Sequence, residues 1–186
     1  MSTTFPNGAA PPPIPPAPSG RLHLKKFHES NASIVADWVQ TPEQLKRLAP
    51  GSTMPLTAEK VLGWRRPQGH VLQLTPDGAI APIGYAELNP MQRERGHLWL
   101  GHVIVCPTER GRGIGTVFVR MLLEYAFDQL AAHRVSLIVY PDNKPAVACY
   151  QRVGFKPTRE EYHAFGASKV EERMLRLEIR PPLPKT

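Results

Sequence analysis

The sequence has few cysteines and no long apolar run, and each shortage excludes a class of protein. Only two cysteines occur in 186 residues, Cys106 and Cys149, which are too few for a disulfide framework. We interpret them as reduced thiols, which favours a cytoplasmic protein over one from an oxidising compartment. No apolar segment approaches the roughly 20 residues of a membrane-spanning helix, so we expect no membrane association.

Metal-ligand spacing and a concentrated basic segment are also missing. The seven histidines stand at positions 23, 28, 70, 97, 102, 133 and 163. They form no metal-binding pattern, so we predict that the site holds no metal. The net charge is +7, but the Lys and Arg residues are dispersed along the chain. We therefore expect no nucleic-acid partner.

Charged side chains are absent from the first twenty positions, which hold seven of the 21 prolines. This composition predicts a disordered, extended Pro-rich tail over residues 1–20. The tail lacks the basic start and the continuous apolar core of a secretory signal. Residues 21–180 have the length of one globular domain, and residues 181–186 are a short Pro-rich C-terminal end.

The most informative segment that is present is a loop of alternating arginine and glycine. After a strand-like run, the residues that lead into a predicted helix are Arg110, Gly111, Arg112, Gly113, Ile114, Gly115 and Thr116. Glycines let the backbone approach an anion closely, and the free N–H groups at a helix start point at it. The loop therefore predicts a phosphorylated cofactor, although a solvated turn has a similar composition.

Two common phosphate-binding loops do not fit this segment. A Walker loop needs Lys and then Ser or Thr after its last glycine, whereas Gly115 is followed by Thr116 and Val117. A dinucleotide fingerprint needs G-x-G-x-x-G, whereas these glycines are spaced by two throughout. The pattern that remains is R-x-x-G-x-G.

The elements around the loop are those of a packed α/β domain. Apolar residues from Ile114 to Tyr125 recur at helical spacing, which predicts an amphipathic helix. Residues 134–140 are rich in β-branched side chains, which predicts a strand. A short helix is predicted over residues 145–153, with Gly154 where a helix end favours a left-handed residue.

Taken in order, these motifs resemble the GNAT superfamily of acyl-CoA-dependent N-acyltransferases. The matching residues are Val103, Val105, Arg110, Gly113, Gly115, Asn143, Ala146, Tyr150, Gly154 and Phe155. The motif match covers roughly residues 97–155, and a weaker match in element order covers about 22–178. The resemblance implies an α/β (α+β) fold: one domain with a mixed, mostly antiparallel central sheet flanked by helices, and a strand splayed at the acyl-CoA site.

The resemblance also implies roles for individual residues. The backbone of Val103, Ile104 and Val105 pairs with the pantetheine arm of acetyl-CoA, and the loop from Arg110 to Thr116 holds the pyrophosphate. Asn143 bonds the pantetheine or positions the next helix, for which a plain helix cap is the alternative. Tyr150 protonates the leaving thiolate, for which a buried core tyrosine is the alternative.

Three residues are candidates for the general base. Trp99 occupies a position where relatives often carry an ionisable group. His97 shares the Trp99 side of its strand, whereas His102 lies on the other side unless a bulge turns it. Glu87, at the end of the preceding strand, is a third candidate. We favour a water chain that ends on Glu87 or His97.

The function that follows is N-acetyl transfer. We expect an acetyl group to pass from acetyl-CoA to a primary amine of a small molecule by direct attack in a ternary complex. A protein N-terminus or lysine is an alternative acceptor, and a non-catalytic acyl-CoA-binding sensor is an alternative function. Trp38 and Trp64 are candidates for the acceptor wall, and the first third shows no carboxylate cluster suited to a polycation. Monomer and homodimer both stay open.

Overall fold

The computed structural model describes residues 20–167 and 170–181. The predicted tail and C-terminal end lie outside this range, apart from Gly20 and Pro181. The strands are β1 Leu22–Lys26, β2 His70–Pro76, β3 Gly84–Pro90, β4 His97–Val105, β5 Arg134–Val139, β6 Lys156–Ala164 and β7 Glu171–Ile179. The helices are α1 Ala32–Asp37, α2 Pro42–Leu48, α3 Ala58–Gly63, α4 Ile114–Glu124 and α5 Lys144–Arg152. Short 3-10 turns cover Glu29–Asn31 and Pro107–Glu109, and a π turn, Tyr125–Gln129, extends α4.

The seven strands form one sheet in the order β1-β2-β3-β4-β5-β7-β6. Every neighbouring pair is antiparallel except β4 and β5, which run parallel. The fold class predicted from the sequence is therefore confirmed. Since a parallel pair needs a crossover, α4 carries the chain from the end of β4 back to the start of β5.

Helix starts follow the sequence signals closely. Thr41 caps α2, since its hydroxyl accepts a hydrogen bond from the Gln44 N–H at 3.2 Å, and Pro42 takes the first helical position. The end of α5 is as predicted, with Gly154 at φ 105°. The sequence from Ile80 to Asn89 predicts one strand, but β3 starts only at Gly84. Pro82 has no N–H to donate to a sheet ladder there.

Two apolar cores lie on opposite faces of the sheet. The larger packs α4 on the central strands, with Phe118 and Leu122 fully buried. The smaller packs α1, α2 and α3 on the other face, around Val35, Val61 and Tyr85. The functional residues of β3 and β4 therefore have a packed layer on each side.

Two close approaches depend on glycine. A Cβ at Gly51, in the loop after α2, would lie 2.6 Å from the backbone N of Gly166, in the turn between β6 and β7. A Cβ at Gly84 would lie 2.9 Å from Cε1 of Phe118 and 3.0 Å from Cβ of Leu74. At both places the backbone is as near its neighbour as packing allows.

Replacing Gly84 with alanine overpacks the contact between β3 and α4. We expect Gly84→Ala to lower the free energy of unfolding by about 1–3 kcal/mol, because rigid ring and strand atoms have to move. Urea denaturation measures this change. Gly63→Ala is the matched control, since a Cβ there meets no atom within 4 Å. Equal stability of the two variants would contradict the packing argument.

Candidate active site

The parallel pairing of β4 and β5 is short, and the strands then separate. Only three pairs are formed, His97 with Arg134, Leu98 with Val135, and Trp99 with Ser136. From Leu100 to Val105, β4 therefore presents backbone groups to a gap instead of to a strand. This is the splay that the resemblance implied.

One cavity of about 640 Å³ lies between the free edge of β4, the arginine–glycine loop and α5. The predicted cofactor residues that line it are Val103, Ile104, Val105, Arg110, Gly111, Gly113, Gly115, Thr116 and Asn143. Arg112 does not line it, and the Ile114 side chain is 1% exposed in the core below α4. Most of the predicted set therefore surrounds one groove.

The loop presents a row of backbone donors at the start of α4. Gly111 and Gly113 have φ values of 76° and 77°, which glycine adopts without strain. Among the described residues, none accepts a hydrogen bond from the N–H groups of 111–115. Because the positive end of the α4 dipole adds to these donors, the loop favours an anion.

The two loop arginines are already engaged within the chain. The Arg110 guanidinium donates to the carbonyls of Val105, at 2.9 Å, and Trp38, at 3.4 Å. Burial lowers the pKa of this group. Arg112 pairs with Glu109 at 2.8 Å. Arg110 thus braces the loop against β4, and the backbone donors are the groups that remain free.

Asn143 and Tyr150 lie where the groove meets a second cavity. Asn143 is the residue before α5 and makes no side-chain cap bond there, so its amide is not used as a plain cap. The Tyr150 ring packs edge-on against Phe155, with centroids 5.7 Å apart. Burial, and secondarily Cys149, raises the pKa of Tyr150, so this hydroxyl stays protonated at neutral pH.

The second cavity, of about 740 Å³, lies on the α1–α3 side of the splay. It shares six lining residues with the first cavity, namely Arg47, Leu48, Val103, Asn143, Ala146 and Tyr150. Trp64 and Trp99 also line it, whereas Trp38 is 5% exposed in the smaller core. The two cavities therefore meet beside Tyr150.

A β-bulge turns His102 into this second cavity. Tyr85 pairs with Ile104, and Glu87 pairs with Gly101, so two residues of β4 oppose Ala86 alone. His102 has φ 47°, a left-handed backbone that is uncommon outside glycine. Its ring stacks on Trp64, with centroids 4.3 Å apart and planes 8° apart. The strained backbone holds the imidazole at the cavity wall.

Glu87 is fully buried and lies against that imidazole. Its Oε1 is 3.2 Å from Nδ1 of His102, an ion-pair contact without the alignment of a hydrogen bond. Tyr85 donates to Oε1 at 2.6 Å, and Asn89 donates to Oε2 at 3.1 Å. Burial alone raises the pKa of the Glu87 carboxyl, but His102, Tyr85 and Asn89 outweigh it and hold the pKa below its ordinary value of 4.5. The site therefore contains a buried carboxylate that lines neither cavity.

His97, the histidine favoured from the sequence, lies in neither cavity. Its Nε2 contacts Ser136 Oγ at 2.7 Å, and its Nδ1 lies 3.2 Å from Arg134. Burial lowers the pKa of this imidazole. The structure thus brings Glu87, His102 and Tyr150 to the splay and leaves His97 in a polar cluster at the start of β4.

A family model described as the acetyltransferase (GNAT) family matches residues 34–155, which contain the splay, the loop and most of the residues that line the two cavities. The chain belongs to the GNAT family.

None of its helices within 20–167 and 170–181 is long and apolar enough to cross a membrane.

Curated relatives of this GNAT domain include mycothiol acetyltransferases. That of Paenarthrobacter aurescens is 32% identical over 103 residues, which are 54% of this chain and 31% of that protein. That of Salinispora tropica is 30% identical over 158 residues, which are 78% of this chain and 48% of that protein. The chain therefore spans about a third to a half of the length of these relatives.

Solved structures share the GNAT fold along nearly the whole chain. Spermidine N-acetyltransferase from Vibrio cholerae, in complex with CoA and spermine, superposes with a TM-score of 0.68 at 16% identity, over 86% of this chain and 95% of that one. RimJ from Mycobacterium smegmatis, in complex with CoA-disulfide, gives 0.72 at 20% identity, over 91% and 87%. At these identities the likeness establishes the fold.

The buried Glu87 carboxylate makes stability depend on pH. Because its pKa is lower in the folded state, its ionised form stabilises the fold above about 4.5 and loses that effect as the pH falls through the folded value. We expect Glu87→Gln to cost about 1–3 kcal/mol at neutral pH, since a partner in the buried network loses its acceptor. This difference from the wild type shrinks below pH 4.5.

Urea unfolding at a series of pH values measures the difference. Glu59→Gln, at an exposed position of α3, controls for the loss of one negative charge. A Glu87→Gln deficit that stays constant down to the acid limit would show that the network does not hold an ionised carboxylate.

Proposed function

We propose that this chain transfers an acetyl group from acetyl-CoA to a primary amine of a small molecule, by direct attack in a ternary complex. The observation that carries the proposal is the meeting of the two cavities at the splay, beside Tyr150. The acceptor cavity, at about 740 Å³, has the size of small-molecule sites. Protein N-termini and lysines are the alternative acceptors in this proposal.

The cofactor fits the groove by its chemistry. The pyrophosphate of acetyl-CoA accepts hydrogen bonds from the free N–H groups of residues 111–115, and Gly111 and Gly113 let the backbone approach it closely. The pantetheine arm pairs with the free edge of β4 between Val103 and Val105. This path leads the thioester from the loop to the splay, where the acceptor cavity begins.

The acceptor amine has to lose a proton, since a free alkylammonium has a pKa of about 10. We assign His102 as the general base. It lines the acceptor cavity, and no described side chain forms a hydrogen bond with its Nε2. Glu87 positions the ring through Nδ1 and stabilises the imidazolium that forms. This assignment replaces the water chain ending on Glu87 or His97 that we favoured from the sequence.

The remaining steps need only positioned groups. The amine nitrogen bonds to the thioester carbon, and backbone N–H groups on the free edge of β4 stabilise the oxyanion. The carbon–sulfur bond then breaks, and the thiolate takes a proton from Tyr150. Since His102 has received a proton and Tyr150 has given one, solvent exchange restores both. The His102–Glu87 pair and the protonated Tyr150 favour an enzyme over a non-catalytic binding module.

One experiment distinguishes acetyl-CoA binding from catalytic turnover. We expect the wild-type protein to bind acetyl-CoA in calorimetry and to release free thiol with primary amines. Tyr150→Phe keeps the ring but not the proton, so we expect kcat to fall by about 10²-fold or more while acetyl-CoA affinity changes little. Thiol release and calorimetry on the same preparations measure the two quantities.

Tyr162→Phe is the matched control, because Tyr162 lies on β6 with 59% of its surface exposed. Acetyl-CoA binding without thiol release from any amine would support the binding module instead. Equal losses of affinity and kcat in Tyr150→Phe would assign this tyrosine to packing.

The base assignment is tested by chemical rescue. His102→Gly fits the left-handed backbone at this position and leaves a space the size of an imidazole against Trp64. We expect kcat to fall by about 10²–10⁴-fold and added imidazole to restore part of it. Thiol release at increasing imidazole concentrations measures the rescue. His23→Ala, at the outer strand β1, should show neither effect, and a His102→Gly variant that binds acetyl-CoA but gains nothing from imidazole would refute the assignment.

A further inference from the structure

The charged side chains that line the acceptor cavity are all basic. Three arginines line it, Arg47, Arg65 and Arg66, together with His102 and His163. Of the described residues that line it, none is Asp or Glu. A cationic wall of this kind repels a second ammonium group on a substrate and attracts an anion.

The arginines differ in how far their charge is compensated. Arg47 pairs with Glu43 at 2.7 Å and Asp142 at 3.5 Å. Arg65 pairs with Glu29 at 2.6 Å. The Arg66 guanidinium has no ion pair or hydrogen bond to any residue within 20–167 and 170–181. Arg66 is therefore the cation of this cavity that lacks a counter-charge.

The turn that carries Arg66 is fixed to the catalytic strands. Gly69 N–H donates to the Arg66 carbonyl at 3.0 Å and closes the turn. Gly69 itself packs so tightly on Asn89 that a Cβ there would lie 2.3 Å from the Asn89 amide oxygen. Asn89 in turn donates to Glu87. The backbone of Arg66 is thus positioned relative to the Glu87–His102 pair.

The rest of the acceptor cavity is rich in aromatic rings. Trp64, Trp99, Tyr150 and Phe165 line it. The Arg176 guanidinium lies 5.2 Å from the Trp99 ring centroid and is itself paired with Glu161. These walls suit a hydrocarbon or aromatic body rather than an extended polar chain.

We propose that the acceptor is a small amine that carries a carboxylate, with the carboxylate bound by Arg66 and the apolar body between the tryptophans. Arg66 presents the parallel N–H donors that match a carboxylate. The cationic surroundings also lower the pKa of the bound ammonium, which favours the neutral amine that attacks. This inference rests on the proposed acetyl transfer, and it excludes polyamines as preferred acceptors.

The test compares amines that differ only in the carboxylate. We expect kcat/KM for phenylalanine to exceed that for phenethylamine by about tenfold or more, and spermidine to be the poorest of the three. Arg66→Gln should remove most of this preference by raising KM for phenylalanine far more than KM for phenethylamine. Arg66→Glu should reverse the preference.

Arg120→Gln is the matched control, because Arg120 is exposed on α4 and lines neither cavity. Calorimetry of the products, N-acetylphenylalanine and N-acetylphenethylamine, with CoA present gives a readout without turnover, and the carboxylate product should bind the wild type more tightly. Faster turnover of spermidine or phenethylamine than of phenylalanine would overturn the inference and leave acetyl transfer standing. Tighter binding of the carboxylate product without turnover of any amine would overturn acetyl transfer and leave only the carboxylate site at Arg66 standing. Equal binding of both products would overturn the inference whatever the turnover.

Discussion

The separation of β4 from β5 after three residue pairs is the constraint on which the rest of the site depends. A parallel pair that continued to Val105 would close the sheet and divide the two cavities. Because pairing stops at Trp99, the groove on the α4–α5 side and the cavity on the α1–α3 side become continuous. In the proposed reaction, a thioester and an amine enter from opposite faces of the sheet and meet at one point. Positioning of this kind supplies much of the rate in acyl transfer.

A second local irregularity positions His102, the proposed proton acceptor. The bulge opposite Ala86 changes the side on which His102 lies, and the same register places Gly101 beside Glu87. A glycine here leaves the cavity side of the strand open, while the ring of Trp64 supports the imidazole. Strain in the backbone of His102 is held by packing on both faces of the sheet, as is typical of residues that carry out chemistry.

The sequence predicts the regular parts of this site well and the irregular parts poorly. The loop glycines, the cap at Thr41 and the helix end at Gly154 follow from local backbone preferences, which act over a few residues. The side on which His102 lies is decided by pairing with a strand fifteen residues earlier, so simple alternation gives the wrong face. The isolated Gly101 within an apolar strand is the one sequence signal from which a bulge could be predicted.

The two loop arginines also show a limit of prediction from sequence. Their spacing with glycine indicated an anion site, and the groove supports that interpretation through its backbone donors. The carbonyl of Trp38, which receives a hydrogen bond from Arg110, lies seventy-two positions earlier in the chain. No local pattern reveals such a partner, so the distinction between an arginine that braces a loop and one that faces a ligand needs the folded chain.

The close approach of Gly51 and Gly166 has a consequence for the size of molecule that the acceptor cavity admits. The segment at Ala49, Pro50 and Ser52 and the segment at His163 and Phe165 both line that cavity, and the two glycines are where these segments touch. The two segments form opposite rims of the cavity, and the contact between the glycines sets the distance between these rims. Any side chain at either glycine forces the rims outward, so two residues that do not line the cavity help to set the width of its entrance.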